Sequence, residues 1–125
     1  METQEISNFV GHVWDTSIIP ALMEFIHIPN KSPLFDPKWE EHGFMDKAVE
    51  LIADWCKAQK IKDMKLDVVR LHGRTPLIFI EIPGDSDDTI LLYGHLDKQP
   101  EMSGWDFDLA PWKPVLKGEK LYHYS

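Results

Sequence analysis

Two apolar runs, PLIFIEI at 76–82 and TILLYG at 89–94, constrain this chain more than any other feature. An unbroken apolar strand is one covered on both faces, so the pair predicts an interior sheet with helices packed on it. Between them lies PGDSDD, residues 83–88. It supplies turn residues and is too short for a helical crossover, which predicts an antiparallel pair. KLDVVRL, 65–71, reads as a strand just before them. The expected class is therefore α/β, with helices on a mixed sheet.

The helices are read from apolar spacing. Ile6, Phe9, Val10, Val13 and Ile18 form one stripe over 5–18. Pro20 interrupts it and falls in the first turn of a second helix carrying Leu22, Phe25 and Ile26. Three prolines between Pro29 and Pro37 predict an irregular loop. Residues 43–59 give the clearest helix, with Phe44, Ala48, Leu51, Ile52 and Trp55 on its apolar face. After Asp97 the periodicity is lost. KQPEMSGWDFDLAPWKP reads as an ordered loop pinned by Trp105 and Trp112, and PVLKGEKLYHYS as a hairpin around Lys117 and Gly118.

A length of 125 residues fits one modest domain. A net charge of −8 argues against nucleic acid, which needs a basic face. No apolar stretch approaches the roughly 20 residues that span a bilayer, so no membrane is expected. The acidic start METQEISNF has no basic or apolar leader pattern. The single cysteine, Cys56, cannot form an internal disulfide and sits in a helix pattern. It reads as a structural, partly buried thiol in a cytoplasmic protein.

The polar residues that interrupt this plan are His95 and Asp97, just beyond TILLYG. Residues two apart on an extended backbone point to the same side. Open sheets with helices on both faces place ligands beyond strand ends. A neutral imidazole there can bind zinc at roughly 2.0–2.1 Å, with its other nitrogen held by a carboxylate. Asp97 fits that supporting place, and Gly94 leaves room for close approach. The same two residues also fit a surface loop with a hydrogen-bonded histidine, and a catalytic zinc needs about three protein ligands.

TILLYGHLDKQPE followed by GWDFDLAPWKPVLKGEKLY resembles the M20 family of zinc metallopeptidases. The shared pattern is an apolar strand, Gly-His-x-Asp, a proline, a tryptophan loop and a Gly-Lys-Leu-Tyr hairpin. FIHIPNKSP, GFMDKAVELIADW and GRTPLIFIEIPG resemble the branch that contains dipeptidases. The resemblance implies that 1–125 is the N-terminal portion of a zinc-peptidase catalytic domain. It implies His95 as a metal ligand and Asp97 as the catalytic carboxylate supporting it. In the family two Zn²⁺ ions, bridged by an aspartate, activate a water that a glutamate deprotonates for attack on a peptide or dipeptide amide.

The pattern departs from the family after Tyr122. Gly-Arg-Gly and the bridging aspartate are replaced by His123, Tyr124 and Ser125. The glutamate base, the other metal ligands and a lid domain are also missing, and His123 is not expected to stand in for a ligand. The expectation is a truncated chain that binds zinc weakly at most and is nearly inactive alone. Its exposed sheet edges would make it self-associate, and a non-catalytic interaction module that pairs with itself or with a full-length relative is the alternative.

The remaining candidates read as structural. Asp106 and Asp108 belong to a solvated loop, and Asp85, Asp87 and Asp88 to an acidic turn without calcium-loop spacing. His12, His27, His42 and His72 are scattered. Trp39, Trp105 and Trp112 are packing anchors. Lys98 and Gln99 lie close enough to rim a substrate site and are given no role.

Overall fold

The computed structural model describes residues 2–123 as helices with small antiparallel strands, in two compact units. Asn30–Pro100 form one unit; residues 2–29 with 101–123 form the other.

In the second of these, α1 (Thr3–Val13), a π-helical turn (Trp14–Ile18) and α2 (Ile19–His27) follow one another without a break. Glu2 and Glu5 form a capping box at the start. Pro20 therefore does not end a helix, as the sequence suggests; the irregularity falls just before it. A proline cannot donate to the carbonyl four residues back and its ring crowds that carbonyl. A widened turn ahead of it relieves both. Thr16 Oγ1 donates to the His12 carbonyl at 2.7 Å inside this stretch. The expected apolar stripe of α1 forms but stays uncovered, with Phe9 67% exposed. The hairpin pairs β3 (Val115–Lys117) with β4 (Lys120–Tyr122), and Gly118 takes the left-handed φ of +59° in its turn. Trp105 Nε1 donates to the Met102 carbonyl at 2.7 Å, which fixes part of the preceding loop. Asp108 accepts from Lys117, whose ammonium holds the carboxyl below its usual range.

The Asn30–Pro100 unit is built around α4 (Phe44–Ala58). A short helix, α3 (Trp39–His42), leads into it through Gly43, whose φ of +69° is open to glycine at little steric cost. The buried stripe is Met45, Ala48, Val49 and Ala53, while Leu51, Ile52 and Trp55 are half-buried. The helix thus turns a face about one residue away from the expected one to its neighbours. β1 (Lys65–Val69) and β2 (Leu77–Glu81) pair antiparallel, with Leu66 opposite Ile80 and Val68 opposite Ile78. α4 packs on β1. Leu66, Val68 and Ile78 are half-buried, while Phe79 on the alternate face is 51% exposed.

Two expectations are corrected here. The ladders among the described residues are antiparallel pairs, with one isolated parallel bridge, Lys31 to Lys98, instead of a mixed sheet. TILLYG is not a sandwiched strand. Residues 88–97 run without turn, bend or ladder, and Ile90, Leu91, Leu92 and Tyr93 are 86–89% exposed. The physical reason is coverage. Burying an all-apolar strand takes a neighbour on each edge and a layer on each face, and the described elements give this run none of them.

Candidate functional site

His95 and Asp97 sit where that apolar run gives way to an anchored segment. The anchor is a parallel contact with residues 30–32. The Lys98 amide donates to the Asn30 carbonyl at 3.0 Å, and the Ser32 amide donates to the Lys98 carbonyl at 2.9 Å. The Asn30 side chain adds a third bond, Nδ2 to the Leu96 carbonyl at 2.8 Å. Asn30 is 1% exposed and Lys98 4%. Burial pushes the Lys98 amine down to about 8.

On this support the two side chains meet. His95 Nδ1 lies 2.8 Å from Asp97 Oδ1 and 3.1 Å from the Asp97 carbonyl oxygen. A carboxylate and a carbonyl only accept, so the proton belongs on Nδ1. In the neutral ring Nε2 then carries the lone pair, which is the form a metal takes. The imidazole is 65% exposed and the Asp97 side chain 34%. The sequence places these groups on one side of the chain, and they are on one side. It also places them at the tip of a covered strand, and the strand is uncovered.

Behind the pair, residues 93–97 form one wall of a cleft of about 560 Å³, with Met45, Val49 and Ile52 of α4 and Leu77 and Ile78 of β2 lining other walls. Its size lies within the roughly 300–1,000 Å³ of small-molecule sites. Its lining is mainly apolar, with Tyr93, His95, Asp97 and Cys56 as its ionisable groups. Cys56 is half-buried, and burial pushes its thiol up, away from a reactive thiolate.

A zinc site asks for more than this. Among the described residues no three His, Cys, Asp or Glu side chains converge where they could hold a metal. His95 and Asp97 fit one ligand and its support, and do not by themselves make a centre. No hydrolytic step is assigned to them.

The other candidates stay apart. His42 Nδ1 pairs with Asp36 Oδ2 at 2.8 Å, a contact the sequence did not suggest. Arg70 donates to Asp46 and ties the β1–β2 loop to α4. Sequence reasoning passed over Asn30, whose partner lies 66 residues away and leaves no local signal. Among the described residues no helix is long and apolar enough to cross a membrane. No family model matches the chain, and no curated protein matches it.

Proposed function

We propose that this chain supplies the His95–Asp97 arm of an M20-type zinc metallopeptidase, a hydrolase of peptide or dipeptide amides, and is inactive alone. The observation that carries the reading is the 2.8 Å bond from His95 Nδ1 to Asp97 Oδ1. It orients the ring and selects the tautomer whose Nε2 can ligate. The residue pattern around it supports the family, and the apolar cleft beside it has room for a small peptide. The remaining ligands and the general base would come from groups outside the described residues.

Zinc titration followed by long-range ¹H–¹⁵N spectra of the histidines tests this. His95 is expected to respond first, with saturation only at zinc well above the protein concentration. The response should vanish in His95→Ala and weaken in Asp97→Asn. Zinc that leaves His95 unmoved would refute the ligand role. Dipeptide turnover by the chain alone that is robust and chelator-sensitive would refute its inactivity.

A second reading is favoured by a different observation, the exposure of Ile90–Tyr93. An unladdered apolar run without turn or bend offers its backbone groups to another strand. The occupant proposed is the same run in a second copy. A two-fold axis normal to the new ladder sets residues of like parity opposite each other. Centred on Leu91, it places Ile90 against Leu92, Thr89 against Tyr93 and Asp88 against Gly94. Four apolar residues a side fall well short of the roughly 20–30 of a standard interface, so the dimer should form only at high concentration. Leu91→Lys puts two ammonium groups on the axis and should abolish concentration-dependent sedimentation. Association unchanged in that variant would refute this contact.

A further inference from the structure

We infer that Asn30 is the positioning residue of the His95–Asp97 pair. The inference rests on the metal-ligand reading for the purpose of the pair, while the clamp itself stands on geometry.

The backbone carrying the pair is held at three points on either side of Asp97. The Leu96 carbonyl accepts from Asn30 Nδ2, and the Lys98 amide and carbonyl bond to Asn30 and Ser32. Two of the three bonds come from Asn30, one through its side chain and one through its own carbonyl. The segment before Gly94 offers no such support, since it is unladdered and exposed. Among the described residues, the hydrogen bonds that hold the backbone at His95 lie on its C-terminal side.

The chemistry of the amide argues that its donor is what matters. Leu96 presents a carbonyl, which only accepts, so the amide must turn Nδ2 toward it. That choice leaves Asn30 Oδ1 buried with no partner among the described residues. An orphaned buried acceptor is costly. A leucine at this position would fill similar space without it. The amide is explained if the bond to Leu96 is required, because no apolar side chain can donate it.

The consequence falls on the tautomer of His95. Nδ1 meets two acceptors on Asp97, at 2.8 and 3.1 Å, only while the 96–98 backbone keeps its present course. If that backbone loosens, the bonds to Nδ1 lengthen and the preference for the Nδ1–H form is lost.

The test uses the full chain, zinc-free, at a pH about two units above the ordinary histidine value of ~6.5. Long-range ¹H–¹⁵N spectra report each tautomer. Asn30→Asp keeps the shape and puts an acceptor against the Leu96 carbonyl. His95 should pass from one dominant form to a mixture, with the minor tautomer rising severalfold, and exchange of the Lys98 amide should quicken at least tenfold. His42 is the internal control. It is held by Asp36 in the same unit, and its signals should not move. His95 unchanged in a variant whose His42 is also unchanged overturns the inference.

If His42 moves too, the variant has lost its fold and Asn30→Ser decides. It loses the same bond without adding charge. A His95 shift in the same direction, His42 unmoved, supports the clamp; no shift overturns it. Zinc added to the parent chain separates the two claims. If zinc fails to move His95, the metal reading falls while the clamp result is unaffected.

Discussion

Leu92→Ala distinguishes the observed course of residues 88–97 from the sandwiched strand that the sequence suggests. Leu92 is 88% exposed, so the remaining 12% is what folding removes from water. Fully burying a leucine stabilises by roughly 1.5–3 kcal/mol, so that fraction is worth about 0.2–0.4 kcal/mol. The same change in a packed strand would cost about 2–5 kcal/mol, because a cavity is added to the lost transfer energy. Val49 is the reference, since it is 2% exposed on the buried face of α4. Val49→Ala should cost about 2 kcal/mol. The assay is urea unfolding followed by tryptophan fluorescence, at a protein concentration too low for association. Trp39 and Trp55 lie in the same unit as both sites and report on it. The slope with urea must be the same in all three proteins for midpoints to be compared. A loss above about 1.5 kcal/mol in Leu92→Ala, at unchanged slope, would refute the reasoning, since nothing 88% exposed can lose so much.

Gly43→Ala should destabilise by about 1–2 kcal/mol although a Cβ there meets nothing within 4 Å, because the cost lies in φ of +69°; equilibrium unfolding measures it, and an unchanged midpoint would count against it. Ala48→Leu should cost about 1–3 kcal/mol by overpacking at a position that is 0% exposed, against no loss at exposed Ala58. The Lys98 amine, pushed from 10.5 to about 8 by burial, makes a signed pH prediction. Between about 8 and 10.5 the unfolded chain binds the proton that the folded chain has released, so stability contributed at this site rises with pH through that window. Lys98→Met removes the titrating group, so its stability relative to the parent chain should fall as pH rises from about 8 toward 10.5; a difference independent of pH would refute the assignment.

How much could be read beforehand follows from the sequence range of the determining contacts. α4 was expected over 43–59 and runs Phe44–Ala58, since helical bonds span four residues and its apolar period is local. The hairpin around Gly118 was legible for the same reason. His95 and Asp97 are two residues apart, and their meeting follows from backbone alternation. The failures involve distant partners. Whether TILLYG is covered depends on what other elements bring to it, and its composition states only what it would prefer. The course of α1 into α2 failed differently. Pro20 was a correct signal of irregularity, but a π-turn absorbed it without breaking the helix.

The anchoring of the pair shows why the candidate site was only half legible. A local rule puts two side chains on one side of an extended chain; it does not make that chain extended. At 95–97 the course of the backbone is held by Asn30 and Ser32 through bonds crossing some 66 residues of sequence. The proline-rich loop that contains them looked like a connection, and its role is structural support. Preorganisation is the property at stake, because a ligand held in one tautomer before the metal arrives spares the cost of ordering it at binding. On this argument Asp97→Asn and Asn30→Asp should weaken zinc binding in different ways. The first keeps the backbone and removes the acceptor's charge, so Lys98 amide exchange should stay slow. The second keeps the acceptor and frees the backbone, so exchange should quicken. If both variants give the same amide protection at Lys98, support and orientation are not separable in this chain, and the division of labour between Asn30 and Asp97 is wrong.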